Sequence, residues 1–164
     1  MTKLLAVTLR QLSPADVPAM RRLLHSELGG TPYADALFPI FDLGLEGTSA
    51  ESKVLIAAAG DEVVGFILYG LVAGAAGAGR LHLIVVTAAA RLSGVASRLM
   101  DAAIAELAEL GARLVIAELA DDPVLVPAHA LLRRSHFVEE ARISDFYREG
   151  VAQVVLGRRV ARGG

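Results

Sequence analysis

Hydrophobic and polar positions alternate over Val7 to Leu12, a pattern that predicts a first or edge strand. Ser13-Pro14-Ala15-Asp16 then reads as a helix start, with Ser13 suited to the N-cap, Pro14 to the first helical position and Asp16 to the positive end of the dipole. Val17, Met20, Leu23, Leu24 and Leu28 recur at helical spacing as one apolar stripe, which Gly29-Gly30 ends. A second helical region is predicted from about Tyr33 to Gly44, with Pro39 kinking it or splitting it into two short turns.

Lys53 to Ala59 and Val63 to Leu71 are apolar runs around the polar turn Gly60-Asp61-Glu62, as in a β-hairpin. The Gly- and Ala-rich stretch from Gly70 to Gly79 reads as a flexible connection; it lacks the strand-then-helix context of a nucleotide loop. Leu81 to Val86 is β-like, and the run from about Gly94 to Leu110 is helix-like, with Leu99, Ala103, Leu107 and Leu110 as its buried stripe and Gly111 as its end. A strand over Leu114 to Leu119, a helix within Ala128 to Phe137 and a last strand over Val151 to Val160 complete the order. No internal repeat or linker divides it, so a single domain over residues 1–164 is expected, an α/β domain with a mixed sheet.

Composition narrows the function classes. Of 164 residues 54% are hydrophobic, enough for a sizeable core, while no apolar run approaches the roughly 20 residues of a membrane helix. The short apolar start before Arg10 and Ser13-Pro14 does not make a signal peptide, so a cytoplasmic location is expected. There is no cysteine, which excludes disulfides, thiolate metal sites and a cysteine nucleophile. The four histidines show no metal-ligand spacing, and no metal is expected. Net charge is −2 and the basic cluster Arg158, Arg159 and Arg162 reads as a solvated end, so neither nucleic acid nor membrane is an expected partner. The apolar composition is compatible with a homodimer.

Arg91-Leu92-Ser93-Gly94-Val95-Ala96 lies between the Leu81–Val86 strand and the long helix. A strand, a short loop and a helix N-terminus form an anion site, because the first turn has unpartnered N–H groups and a partial positive charge. Gly94 gives an anion close access to the backbone, and Arg91 adds a fixed charge. The pattern Arg-x-x-Gly-x-Ala resembles the acyl-CoA loop of the GNAT superfamily of N-acetyltransferases. The preceding strand, the long helix, and Ala128 through Phe137 as a last helix running into a strand extend the resemblance over most of the chain.

The resemblance implies a GNAT-like mixed, mostly antiparallel central sheet flanked by helices, with splayed fourth and fifth strands. It implies acetyl-CoA as cosubstrate, its pantetheine arm on the backbone of Ile84, Val85 and Val86 and its pyrophosphate on Arg91, Leu92, Ser93, Gly94, Val95 and Ala96. The activity implied is transfer of the acetyl group to a primary amine of a small molecule or amino acid by direct attack in a ternary complex. A protein N-terminal or lysine acetyltransferase, and a non-catalytic acyl-CoA-binding sensor, are the alternatives.

Such chemistry needs a base for the amine and a proton for the leaving thiolate. His82 falls where some relatives carry a His and is the candidate base; otherwise it is an ordinary strand histidine. Glu118 is a candidate proton relay or a plain strand-end carboxylate, and Tyr147 a candidate thiolate donor or a packing residue under the last turn. The position of the family's usual Tyr acid is Leu132, that of a frequent Asn is Val126, and His136 replaces a usual Gly, departures that favour the sensor. His129, one turn before Leu132, reads as a substitute donor or a solvated helix residue. Arg80 cannot act as a base and reads as a hairpin-end charge. His25 is expected to be exposed. Tyr33, Asp35 and Phe38 are expected on the acceptor side, and Asp35, Asp42 and Glu46 there would attract a small cationic amine.

Overall fold

The computed structural model describes residues 6–46 and 50–161; Arg162 and the start of the chain before Ala6 lie outside them. Along the chain run β1 (Val7–Gln11), α1 (Val17–Leu28), α2 (Ala34–Glu46), β2 (Lys53–Ala59), β3 (Glu62–Leu71), β4 (Ala78–Val86), α3 (Val95–Glu109), β5 (Leu114–Ala120), α4 (Val126–Arg134), β6 (Val138–Arg148) and β7 (Val151–Arg159). The strands form one seven-stranded sheet in the order β1-β2-β3-β4-β5-β7-β6. Every neighbouring pair is antiparallel except β4 and β5, which are parallel.

Helices cover both faces, which is why the central strands are continuous apolar runs. Leu55, Ala57, Ile67, Val115 and Ala117 pack with Leu99, Leu107, Leu131 and Phe137 on the face of α3 and α4. Val54, Ile56, Phe66, Leu68 and Val85 pack with Met20, Leu24 and Phe41 on the face of α1 and α2. Met20, Leu24, Phe41, Phe66, Leu99 and Leu107 are fully buried, and burying each such side chain stabilises by about 1.5–3 kcal/mol. Among the described residues no helix is long and apolar enough to cross a membrane.

Four expectations about the elements are corrected. The α2 helix runs without a break through Pro39, so it is not split into two short turns. Only one helical hydrogen bond is lost there, and Phe41 is fully buried with its ring 5.7 Å from Phe66. Gly70 and Leu71 belong to β3, and Ala78 to Arg80 to β4, so the connection shrinks to Val72–Gly77. Leu110 is 43% exposed, because it is the C-cap of α3, where the chain leaves the helix for the left-handed Gly111. The Arg91–Ser93 segment is the end of a 3-10 turn over Ala88–Ser93 and not an open loop.

Candidate active site

At the head of α3, Gly94 has φ 77° and ψ 9°, a left-handed backbone that glycine enters without strain. Val95 is buried and anchors the first turn, whereas Arg91, Leu92, Ser93 and Gly94 are exposed and Ala96 is half-buried. The first helical carbonyl taken up is that of Gly94, by the N–H of Arg98 at 3.1 Å. The N–H groups of Val95, Ala96 and Ser97 precede it and have no helical acceptor, so they form the anion-attracting end of the helix. The Arg91 guanidinium does not stand free beside them; it is paired with Glu27 of α1.

Next to this helix end the sheet opens. The β4–β5 pairing covers only Ala78↔Leu114 to Leu81↔Ala117, although β4 continues to Val86 and β5 to Ala120. On the other side of β4, Leu68 pairs with Leu83 and Tyr69 with Leu81, so His82 is an extra residue. Bulge and splay therefore coincide at His82, because a bulge bends its strand and increases its twist. From His82 onward the β5-facing backbone edge of β4, including Ile84, Val85 and Val86, has no strand partner among the described residues. An extended acyl-carrying arm fits that edge as a further strand would, and a pyrophosphate fits the helix end beyond it.

His82 is half-buried and meets two charged neighbours. Burial pushes its imidazole below the usual 6.5, the Arg80 charge lowers it further, and Glu118 with a backbone hydrogen bond at Glu51 oppose the shift. Gly70 makes room for that segment, since a Cβ there would lie 2.0 Å from the Glu51 carbonyl oxygen. Arg80, expected at a hairpin end, instead sits inside β4, paired with Gly70 and Ile116. Its Nε is 3.7 Å from Glu118 Oε2. Neighbouring Ala117 packs on the α3 face, so Glu118 projects with Arg80 toward the face of α1 and α2.

Tyr147 belongs to a different group. Between Ile143↔Gln153 and Arg148↔Val151 the strand β6 carries four residues, Ser144 to Tyr147, against Ala152 alone. Asp145 takes φ 53° there, and its Oδ1 accepts the Gly150 N–H at 2.7 Å. The exposed Tyr147 ring stands edge-on to Tyr33, 5.5 Å between centroids. The Tyr33 hydroxyl donates to Asp122 Oδ2 at 2.7 Å, and Arg148 donates to the same oxygen at 2.6 Å. Hydrogen bonds from Tyr33, the Val124 N–H and Arg148 hold the Asp122 carboxyl down at about 2. Sequence reasoning missed Asp122 and Arg148. The one available signal was Asp122-Pro123 as a helix-start pair, and it says nothing of a partner 26 residues away.

Other candidates separate from both groups. Phe38 stacks on His25, which is exposed as expected, at 4.3 Å, and Asp42 is paired with Arg21 at 2.9 Å. His129 is buried, with Nε2 2.9 Å from the Ala120 carbonyl oxygen; it ties α4 to the end of β5 and is neither solvated nor free to donate. Leu132 is buried in the α3 and α4 core, and Val126 is 60% exposed. His136 has φ 64°, the backbone region for which glycine is the usual choice.

Comparison with known proteins agrees with this geometry. A sequence model of the Acetyltransferase (GNAT) family matches residues 17–137. A putative GNAT-family acetyltransferase from Desulfovibrio desulfuricans is 27% identical and superposes with a TM-score of 0.85 over 95% of this chain and 100% of its own. Ard1 from Thermoplasma volcanium is 25% identical, with a TM-score of 0.76 over 95% of this chain and 99% of its own. An aminoglycoside 6'-N-acetyltransferase complexed with coenzyme A shares the fold at 14% identity, with a TM-score of 0.79 over 96% and 99%. No curated protein matches the chain.

Proposed function

Because the chain belongs to the acetyltransferase (GNAT) family, we propose that it transfers an acetyl group from acetyl-CoA to a primary amine by direct attack in a ternary complex. The observation that carries this reading is the unpaired edge of β4 beyond Leu81, which begins at the His82 bulge and runs toward the N-terminus of α3. Acetyl-CoA supplies the acyl group and departs as the CoA thiol. Ile84, Val85 and Val86 present backbone to its pantetheine arm, and Arg91 through Ala96 receive its pyrophosphate.

His82 takes the proton that the acceptor ammonium must lose, directly or through one water. The nitrogen lone pair then bonds to the acyl carbon as the carbon–sulfur bond breaks. Glu118, at the exposed edge of β5, passes the proton from His82 outward; the second proton, which the nitrogen loses as the amide forms, replaces the one that Tyr147 or water gives to the sulfur. The acceptor enters from the face of α1 and α2, where Arg80 and Glu118 project.

Leu132 supports a second reading, a non-catalytic acyl-CoA-binding sensor, since a buried leucine stands in place of the usual acid. One experiment separates the two. Calorimetric titration with acetyl-CoA is expected to give saturable binding, and a panel of amines is then expected to release CoA thiol. Binding without release from any amine leaves the sensor; absence of binding removes both.

A further inference from the structure

Several arginines in this structure are held by carboxylates at hydrogen-bonding distance. Arg10 grips Asp16 through two hydrogen bonds of 2.7 and 2.8 Å, Arg142 reaches Asp121 at 2.6 Å and Glu139 at 3.0 Å, and Arg148 reaches Asp122 at 2.6 Å. Arg80 differs. Its Nε is buried and has no hydrogen-bond partner among the described residues, and Glu118 stands 3.7 Å away, beyond hydrogen-bonding range. The strand fixes where this cation sits, two residues before the His82 bulge and at the β4–β5 splay. A buried donor left without an acceptor is unfavourable, and because the Arg80 side chain as a whole is 36% exposed, an acceptor from outside can reach the guanidinium at its open side.

We propose that Arg80 receives a carboxylate of the acceptor and that the acceptor is a free amino acid, whose ammonium lies toward His82 and Glu118. This rests on the acetyl-transfer reading and names its substrate class. The guanidinium offers a planar fork of donors matched to a carboxylate. Beside it, Glu118 balances an ammonium, and the imidazole accepts the proton that the ammonium gives up. Cation, imidazole and anion thus lie side by side in an arrangement complementary to a zwitterion. A plain amine or a polycation would bring positive charge against Arg80 with no carboxylate to meet its guanidinium.

The test compares free amino acids with their α-carboxamides as acceptors, following thiol release from acetyl-CoA by the full chain at about pH 8, well above the lowered range of the His82 imidazole. Wild type is expected to favour the acids by about 10- to 100-fold in kcat/KM, the span of one charge-assisted contact. R80Q is expected to lose that preference, chiefly through the KM of the acids, and R80K, which keeps the charge without the fork, to recover part of it. Equal rates for acids and carboxamides in wild type, or an unchanged preference in R80Q, overturns the proposal.

A second readout separates this proposal from the reading it rests on. The Nε–H resonance of Arg80, followed by NMR in the presence of CoA, is expected to shift on titration with a free amino acid and not with its carboxamide. A shift without thiol release leaves the carboxylate site standing and removes the acetyl-transfer reading. Thiol release with neither a shift nor a preference for acids does the reverse.

Discussion

Arg91 and Glu27 are paired beside the N-terminus of α3, joining the turn before that helix to the last turn of α1. The cation expected to meet phosphate is therefore already held by a carboxylate, and an incoming pyrophosphate competes with Glu27 for it. E27Q is expected to tighten acetyl-CoA binding by about 1.5- to 5-fold, the range of a solvent-exposed ion pair. Calorimetric titration of the two proteins at one ionic strength checks this. Unchanged affinity would show that Arg91 does not reach the phosphates; weaker affinity would show that the pair shapes the loop.

Gly94 has open space where a Cβ would go, with no heavy atom of the described residues within 4 Å, but its φ of 77° belongs to the left-handed region. G94V is therefore expected to lower stability by about 1–2 kcal/mol through backbone strain alone. It is also expected to weaken acetyl-CoA binding more than tenfold, since the branched side chain stands among the exposed amides of α3. Denaturant unfolding and calorimetry on one preparation separate the two effects. Loss of stability with unchanged affinity would leave Gly94 a purely conformational role.

The elements were legible in the sequence wherever burial wrote a periodic pattern, as in the stripe of Met20, Leu23 and Leu24 or the run from Leu81 to Val86. The turn and helix start around Gly94 were legible for the same reason, as a local motif between two such patterns. What escaped were contacts made across the fold. Arg80 reads as a hairpin-end charge because Gly77 and Gly79 suggest a loop, yet Gly79 packs against Leu107 as part of β4. His129 reads as a solvated helix residue until Ala120 supplies its carbonyl. The bulge at His82 depends on β3 spending one residue where β4 spends two, which neither strand encodes by itself.

The environment of His82 sets a pH dependence with a definite sign. Its imidazole is pushed below 6.5, first by burial and then by Arg80, so the neutral, proton-accepting form is already present on the acid side of 6.5. The rising limb of kcat/KM against pH is expected to have its inflection below 6.5 in wild type. R80Q removes a cation and is expected to move that limb upward; E118Q removes an anion and is expected to move it downward. H82Q should lose the limb together with about 10²- to 10⁴-fold in rate. A limb that stays in place in H82Q belongs to another group and would remove His82 as the base.

Asp122 gathers the start of α2 and the end of β6 onto one carboxylate, and that makes its ionisation a property of the fold. Its carboxyl falls from 3.8 to about 2, with Tyr33, the Val124 N–H and Arg148 donating to it. A carboxyl lowered in the folded state binds its proton less readily there than in the unfolded chain. Its contribution is therefore present above about pH 4 and lost as pH falls toward about 2. D122N cannot ionise, so it is expected to be less stable than wild type at neutral pH, with the gap narrowing between about pH 4 and 2. Denaturant midpoints of both proteins across that range test it, because the other carboxylates titrate alike in each and cancel in the difference. A gap that stays constant down to the acid end would mean that the Tyr33 and Arg148 contacts do not depend on the charge of Asp122.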